Sequence, residues 1–189
     1  MKKKNIILIA VIAVIAILIF SCIGAYNGLV EDREEVVAAQ SEISVYLQRR
    51  ADLIPNFVNT VKGYSDYEKE TYTAVTEARA AVSKASNATE QAAASEQLDS
   101  AIDIWVNAVT EAYPELKANE QYIKLQDELA GSENRIATAR HDYNEDAREY
   151  NTEIKQFPRS IFAGIFGFDA FPYFENDAAA NDVPQVSFD

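Results

Sequence analysis

One histidine, one cysteine, one tryptophan and six glycines in 189 residues leave little material for the commoner kinds of active site. The lone histidine, His141, excludes His-rich zinc sites, Cys-His pairs and the paired Glu-x-x-His motifs that hold two metals in a helical bundle. The lone cysteine, Cys22, excludes an intramolecular disulfide and says nothing of redox compartment. The glycines form no phosphate-binding loop. Gly63 and Gly131 fall inside helical patterns, where each costs up to about 1 kcal/mol relative to alanine and suits a close helix contact or a kink. Positive charge is scarce too: with Lys2, Lys3 and Lys4 set aside, 14 basic residues face 30 acidic ones, a formal charge near −16. Nucleic acid is excluded as a partner on that ground, because its backbone is gripped through Lys and Arg, and anionic headgroups are disfavoured for the body. No segment shows the period-two alternation of a half-buried strand.

What the chain does have is one long apolar run. Ile6 to Ile23 is 18 residues without a charge, and Gly24 and Ala25 extend it to 20. At about 1.5 Å per residue that crosses a hydrocarbon core of about 30 Å. Residues 1–25 are therefore expected to form a single-pass anchor. The run is longer than a secretory signal core and lacks a small-x-small cleavage site. Ile19-Phe20-Ser21-Cys22 offers an alternative, a bacterial lipoprotein signal cleaved before Cys22 to leave a lipidated cysteine. Lys2 to Lys4 precede the run, and no base follows it before Arg33, so the N-terminus is expected in the cytoplasm and the body outside.

Residues 26–157 read as one helical domain. Apolar residues recur at alternating steps of three and four through Leu29, Val36, Ile43, Leu47, Ile54, Phe57, Val61 and Tyr64, with Arg33, Gln40 and Arg50 at in-phase positions. The pattern continues through Tyr67 or Glu68, Thr71, Val75, Ala78, Val82 and Ala85, then through Leu98, Ile102, Trp105, Val109 and Ala112. A last seam runs from Tyr122 through Leu125, Leu129, Ser132, Ile136, Ala139, Tyr143, Ala147, Tyr150 and Ile154 to Phe157, with a mean step of about 3.5. Three breaks divide these seams. Pro55, with Asp52 as an N-cap, places a turn near Arg50 to Asp52, although the unbroken phase also fits one long kinked helix. Ser86 and Asn87, with Thr89 as cap, form the second break, and Tyr113-Pro114 the third, with Lys117 to Asn119 leading into the last helix. The expected fold is all-α: a transmembrane helix, then an up-and-down bundle of four long helices of about 23, 32, 24 and 38 residues. The first helix leaves the membrane and the fourth returns toward it. Residues 158–175 are Phe-rich and too broken by proline and glycine to span again; they are expected to cover the end of the bundle, or to meet the membrane interface or a partner. Residues 176–189 are acidic and expected to be disordered.

Candidate sites are few. His141 lies between seam positions and is expected to face solvent. Arg33 and Arg50 stand where apolar residues would be expected, which points to ion pairs with Glu128, Glu133, Asp142 or Glu145 that fix helix register, or to a polar surface for a ligand. Phe162, Phe166 and Phe168 are the candidate interaction residues of the Phe-rich segment. Tyr64, Tyr67 and Tyr72 have helical spacing and read as seam and flank residues before they read as a sugar platform.

Several strings in order resemble one family: Tyr26-Asn27-Gly28-Leu29-Val30, Gln48 through Asn56 (QRRADLIPN), Val61-Lys62-Gly63-Tyr64, Ala78-Arg79, Tyr113 through Asn119 (YPELKAN), Leu125-Gln126-Asp127-Glu128-Leu129, Glu133 through Ala137 (ENRIA), Tyr143-Asn144, and Tyr150-Asn151 on to Phe157-Pro158. With Phe166-Gly167-Phe168 and Pro172-Tyr173-Phe174, the chain resembles the LemA family over residues 26 to about 175. It departs in Phe57, where leucine is common, and in an acidic rather than basic stretch after Phe168. The resemblance implies a single-pass bacterial membrane protein with a helical bundle and no established activity, substrate or cofactor. It also implies an analogy with relatives in magnetosome-forming bacteria, which are linked with membrane invagination.

The function expected is a scaffold or interaction module at the cell envelope, engaging an unidentified envelope protein, the bilayer or a second copy of itself. The alternative is an extracytoplasmic sensor that binds a small anionic ligand in the bundle core through Arg33 or Arg50. An enzyme is not expected, because no nucleophile, base and orienting group can be assembled; nor is any metal or cofactor.

Overall fold

The computed structural model describes the backbone of residues 2–61 and 69–174 and the side chains of 5–60 and 73–174. All regular structure among these residues is helical. The elements are α1 (Lys2–Val61), α2 (Lys69–Val82), α3 (Ala88–Ala112), a 3-10 turn over Pro114–Ala118, α4 (Glu120–Glu153) and α5 (Arg159–Phe166). Expectations for Val61, Gly63, Tyr64, Tyr67, Glu68, Thr71, Tyr72 and residues 176–189 lie outside the described residues or side chains.

The turn expected at Arg50 to Asp52 is absent. α1 is one helix of 60 residues with Pro55 inside it. Proline removes one backbone hydrogen bond and costs about 3 kcal/mol in a helix interior. Here Leu47, Arg50, Ala51, Ile54 and Phe57 are all buried on one side of the helix while Pro55 is exposed at the flank of that face. Burying a Leu, Ile or Phe side chain is worth about 1.5–3 kcal/mol each, so the seam outweighs the proline. Asp52 is not a cap; it accepts hydrogen bonds from Gln48 Nε2 at 3.0 Å and Arg79 Nη2 at 3.3 Å.

Chain contacts divide the molecule into two compact units, Met1–Tyr46 with Asn134–Phe171, and Leu47–Glu133 with Pro172–Asp189. In the second unit the end of α1, α2, α3 and the start of α4 meet. Its core holds Val75, Ala78, Leu98, Ile102, Leu116 and Leu129, with Phe57 against Trp105 and Tyr122 at ring distances of 4.8 and 5.2 Å. Thr89 does not cap α3. Asn87 does, its Oδ1 accepting from the Glu90 N–H at 3.0 Å, while Glu90 reaches back to the Ser86 N–H at 2.8 Å. The donors of Ser86 hold the Glu90 carboxyl below its ordinary pKa. Asn119 caps α4 in turn, its Oδ1 accepting from the N–H groups of Gln121 and Tyr122.

In the first unit Leu29, Val36 and Ile43 of α1 and Ile136, Ala139, Tyr143, Ala147 and Tyr150 of α4 are buried. The two helices run antiparallel. Glu42 and Tyr46 share a shallow groove with Asn134 and Asp142, whereas Asp32, nearer the start of α1, meets Arg159 just past the end of α4. α4 ends at Glu153, so Phe157, counted in its seam, is instead exposed. Arg33 is likewise not in the seam but exposed on α1. The apolar run forms the first third of α1, and its residues are unburied.

Candidate membrane-proximal site

Two groups of residues carry the features that stand out, one in each unit. In the first unit they gather where α1 leaves its apolar run. Pro158 precedes α5, and Gly167, at a φ of 73°, closes it in the left-handed conformation that costs glycine least. The Ala163 carbonyl accepts from the N–H groups of both Gly167 and Phe168, which turns the chain back toward α1. The Tyr26 ring then lies edge-on to Phe166 at 4.9 Å and to Phe168 at 5.8 Å.

At the opposite end of α5, Arg159 Nη1 donates to Asp32 Oδ2 at 2.8 Å and lies 3.1 Å from Glu153 Oε2. The guanidinium lies over Gly28, where a Cβ would come within 2.9 Å of Arg159 Nη2. Glycine at 28 thus makes room for the one cation of α5. Asn151 fastens the segment that follows: its Nδ2 donates to the Phe171 carbonyl at 2.8 Å and its Oδ1 accepts from the Phe171 N–H at 2.9 Å. The Tyr150 ring packs edge-on to Phe171 at 5.2 Å. Burial raises the Tyr150 phenol above its ordinary pKa, with Arg33 opposing and Asp169 and Asp32 adding to the rise.

These contacts use one side of α5. Ala163 is buried and Phe162 and Phe168 are half-buried. The other side is bare, with Ile161 51% and Ile165 68% exposed, and Phe157, in the turn before α5, is 81% exposed. Ile161 and Ile165 are four apart within α5 and form one stripe.

The second group centres on Arg50, which is buried in the second unit. Its Nη1 lies 2.9 Å from Asp99 Oδ1 of α3 and its Nη2 3.8 Å from Glu133 Oε2 of α4. Glu133 is among the partners the sequence offered; Asp99, the closer one, is not. Arg33 is placed beside Tyr150 only by its electrostatic influence. Cys22 is half-exposed in α1, and exposed His141 lies 3.9 Å from Glu145. Sequence reasoning missed Tyr26, Gly28, Asp32, Asn151 and Arg159. The available signal was Arg159 itself, the last basic residue of the chain and the only charge between Lys155 and Asp169.

A model of the LemA family matches residues 39–188, further toward the C-terminus than the resembling strings reach. Protein LemA of Metamycoplasma hominis is 30% identical over 158 residues, which cover 82% of this chain and 71% of that protein. Magnetosome protein MamQ 2 of Paramagnetospirillum magneticum is 28% identical, with 95% of this chain and 74% of that protein covered. Magnetosome protein MamQ of Magnetospirillum gryphiswaldense is 25% identical, with 86% and 68% covered.

Proposed function

Because this chain belongs to the LemA family, we propose that it is a membrane-anchored helical scaffold, an interaction module of the bacterial cell envelope with no catalytic chemistry of its own. Residues 1–25 are the anchor, the N-terminus is cytoplasmic and the body extracytoplasmic. The observation that carries this reading is the continuity of α1. The apolar run and the first helix of the body are one element from Lys2 to Val61, without a linker between them. A tether that only localises an enzyme needs no fixed geometry, whereas a continuous helix sets both the height and the rotation of the surface it presents. Relatives named as magnetosome proteins agree with a part in an assembled structure. The sensor reading draws less support, because Arg50 already faces two carboxylates and offers an incoming anion little net charge.

The test is photo-cross-linking in the native membrane from Val45 and Ile104, two exposed apolar positions on the body. One or a few discrete adducts from either position support the scaffold; a body that stays monomeric and yields no specific adduct from both sinks it. Protease added to intact cells tests the orientation: digestion of the body from outside is expected, and protection until lysis, with no outer barrier in the way, would reverse it. Mass spectrometry of the N-terminal peptide in the same sample separates a spanning α1 from a chain cleaved and lipidated at Cys22.

A further inference from the structure

We infer that α5 is a second membrane contact, an interfacial helix whose bare stripe of Ile161 and Ile165 rests in the headgroup region of the leaflet from which α1 emerges. The inference rests on the anchor in the reading above and not on the scaffold.

Position is the first argument. The apolar run ends at Ala25, and the next residue, Tyr26, touches Phe166 and Phe168. The other end of α5 is fixed by Arg159 over Gly28 and against Asp32. At 1.5 Å per residue these points lie about 2 to 10 Å beyond the end of the run. The headgroup layer on each side of a bilayer is about 5–7 Å thick. A helix held to α1 at those two points therefore sits in that layer or at its edge, continuous with the lipid-facing surface of the span.

Chemistry is the second. α5 has no acidic residue, and its single cation is paired with Asp32 and Glu153. Its exposed stripe is aliphatic, while Tyr26 supplies the amphipathic ring that commonly marks a membrane–water boundary. Glu31, Asp32, Glu34 and Glu35 follow on α1 and Asp169 follows α5, so negative charge borders the site. The contact is then driven by apolar burial, and it needs no anionic lipid.

The experiment uses the full chain with Cys22→Ala, reconstituted in phosphatidylcholine vesicles with and without phosphatidylglycerol. A nitroxide is placed at Ile165→Cys, with Ile15→Cys in the span and Ser41→Cys on the exposed body as references. Collision rates with oxygen, which partitions into lipid, and with nickel ethylenediaminediacetate, which stays in water, are compared. The expected oxygen-to-nickel ratio at 165 is several-fold above that at 41, stays below that at 15 as an interfacial depth requires, and does not rise with phosphatidylglycerol. A ratio at 165 equal to that at 41 overturns the inference and leaves the scaffold reading to its own cross-links. Spin–spin broadening at 165 that disappears in single-copy nanodiscs, together with loss of the lipid signature there, assigns the stripe to a second copy and also overturns it. A water-like ratio at 15 overturns the anchor itself.

Discussion

Arg50 shows how far a single residue can be read from sequence. Its in-phase position marked it as a polar group in an apolar seam, but only the three-dimensional packing brings Asp99 of α3 to 2.9 Å. Asp99 could not be singled out, because it lies on another helix and carries no pattern of its own. The pair is asymmetric: Arg50 is almost wholly buried, whereas Asp99 is a third and Glu133 two-thirds exposed. Removing a partner is costly mainly when it leaves a buried charge uncompensated. Asp99→Asn leaves the guanidinium buried with Glu133 at 3.8 Å and is expected to cost about 3 kcal/mol. Arg50→Met keeps the apolar stem and leaves two carboxylates that water can reach, so about 1 kcal/mol is expected. Urea unfolding of the detergent-solubilised chain measures both, and the reverse order would show that the carboxylates, not the arginine, carry the desolvation cost. Tyr143 gives a second residue-scale test. Burial pushes its phenol up to about 12 from an ordinary 10.0. Between those values the unfolded chain releases the proton while the folded chain keeps it, so its contribution to stability is complete below pH 10 and is lost as pH rises toward 12. Absorbance titration at alkaline pH should lose its highest tyrosinate step in Tyr143→Phe; a wild-type titration without such a late step would contradict the assignment.

Among the elements, the legible ones were those with long uninterrupted phase. The α4 seam from Tyr122 to Tyr150, apart from half-buried Leu125, and the α3 seam through Leu98, Ile102, Trp105 and Val109 coincide with buried residues. Boundaries were harder to place where two signals competed. Pro55 argued for a turn and the phase through Ile54 and Phe57 argued against it; packing decided, because it sums over many side chains and the proline acts once. Thr89 and Asn87 are both good caps, and the choice fell to Asn87 because Glu90 can then pair back with Ser86. α5 had no length to display a period, and its placement depends on contacts with Tyr26, Gly28 and Asp32 that are more than 120 residues away in sequence. If Pro55 is tolerated only through packing, Pro55→Ala should stabilise the chain by up to about 3 kcal/mol without altering the fold. Thermal unfolding followed by circular dichroism tests this; no gain or a loss would mean that the helix has relaxed around the proline and its ring is part of the packing.

For the whole molecule, the decisive feature is that one unbroken helix carries both the apolar run and buried residues of the body. Charge and periodicity were enough to read an acidic helical body after an apolar run, but not to read that no joint separates them, since absence of a break is visible only as continued phase. A rigid strut can be tested by lengthening it. Seven residues of alanine and glutamine inserted between Ala25 and Tyr26 add nearly two helical turns, which restores the rotation of the body and raises it by about 10 Å. That lift exceeds the headgroup layer of about 5–7 Å. Tyr26, Gly28, Asp32 and α5 all lie on the body side of the insertion, so their contacts and the unfolding midpoint should stay unchanged. The nitroxide at Ile165 should move from a lipid-like to a water-like collision ratio, while cross-links from Val45 that depend on rotation alone should survive better than with a two-residue insertion, which turns the body by about 200°. If the label at Ile165 stays in lipid after the seven-residue insertion, α1 bends to keep α5 at the bilayer. The height of the body would then be set by the pull of the apolar stripe, and the stiffness of the helix would not be what orients it.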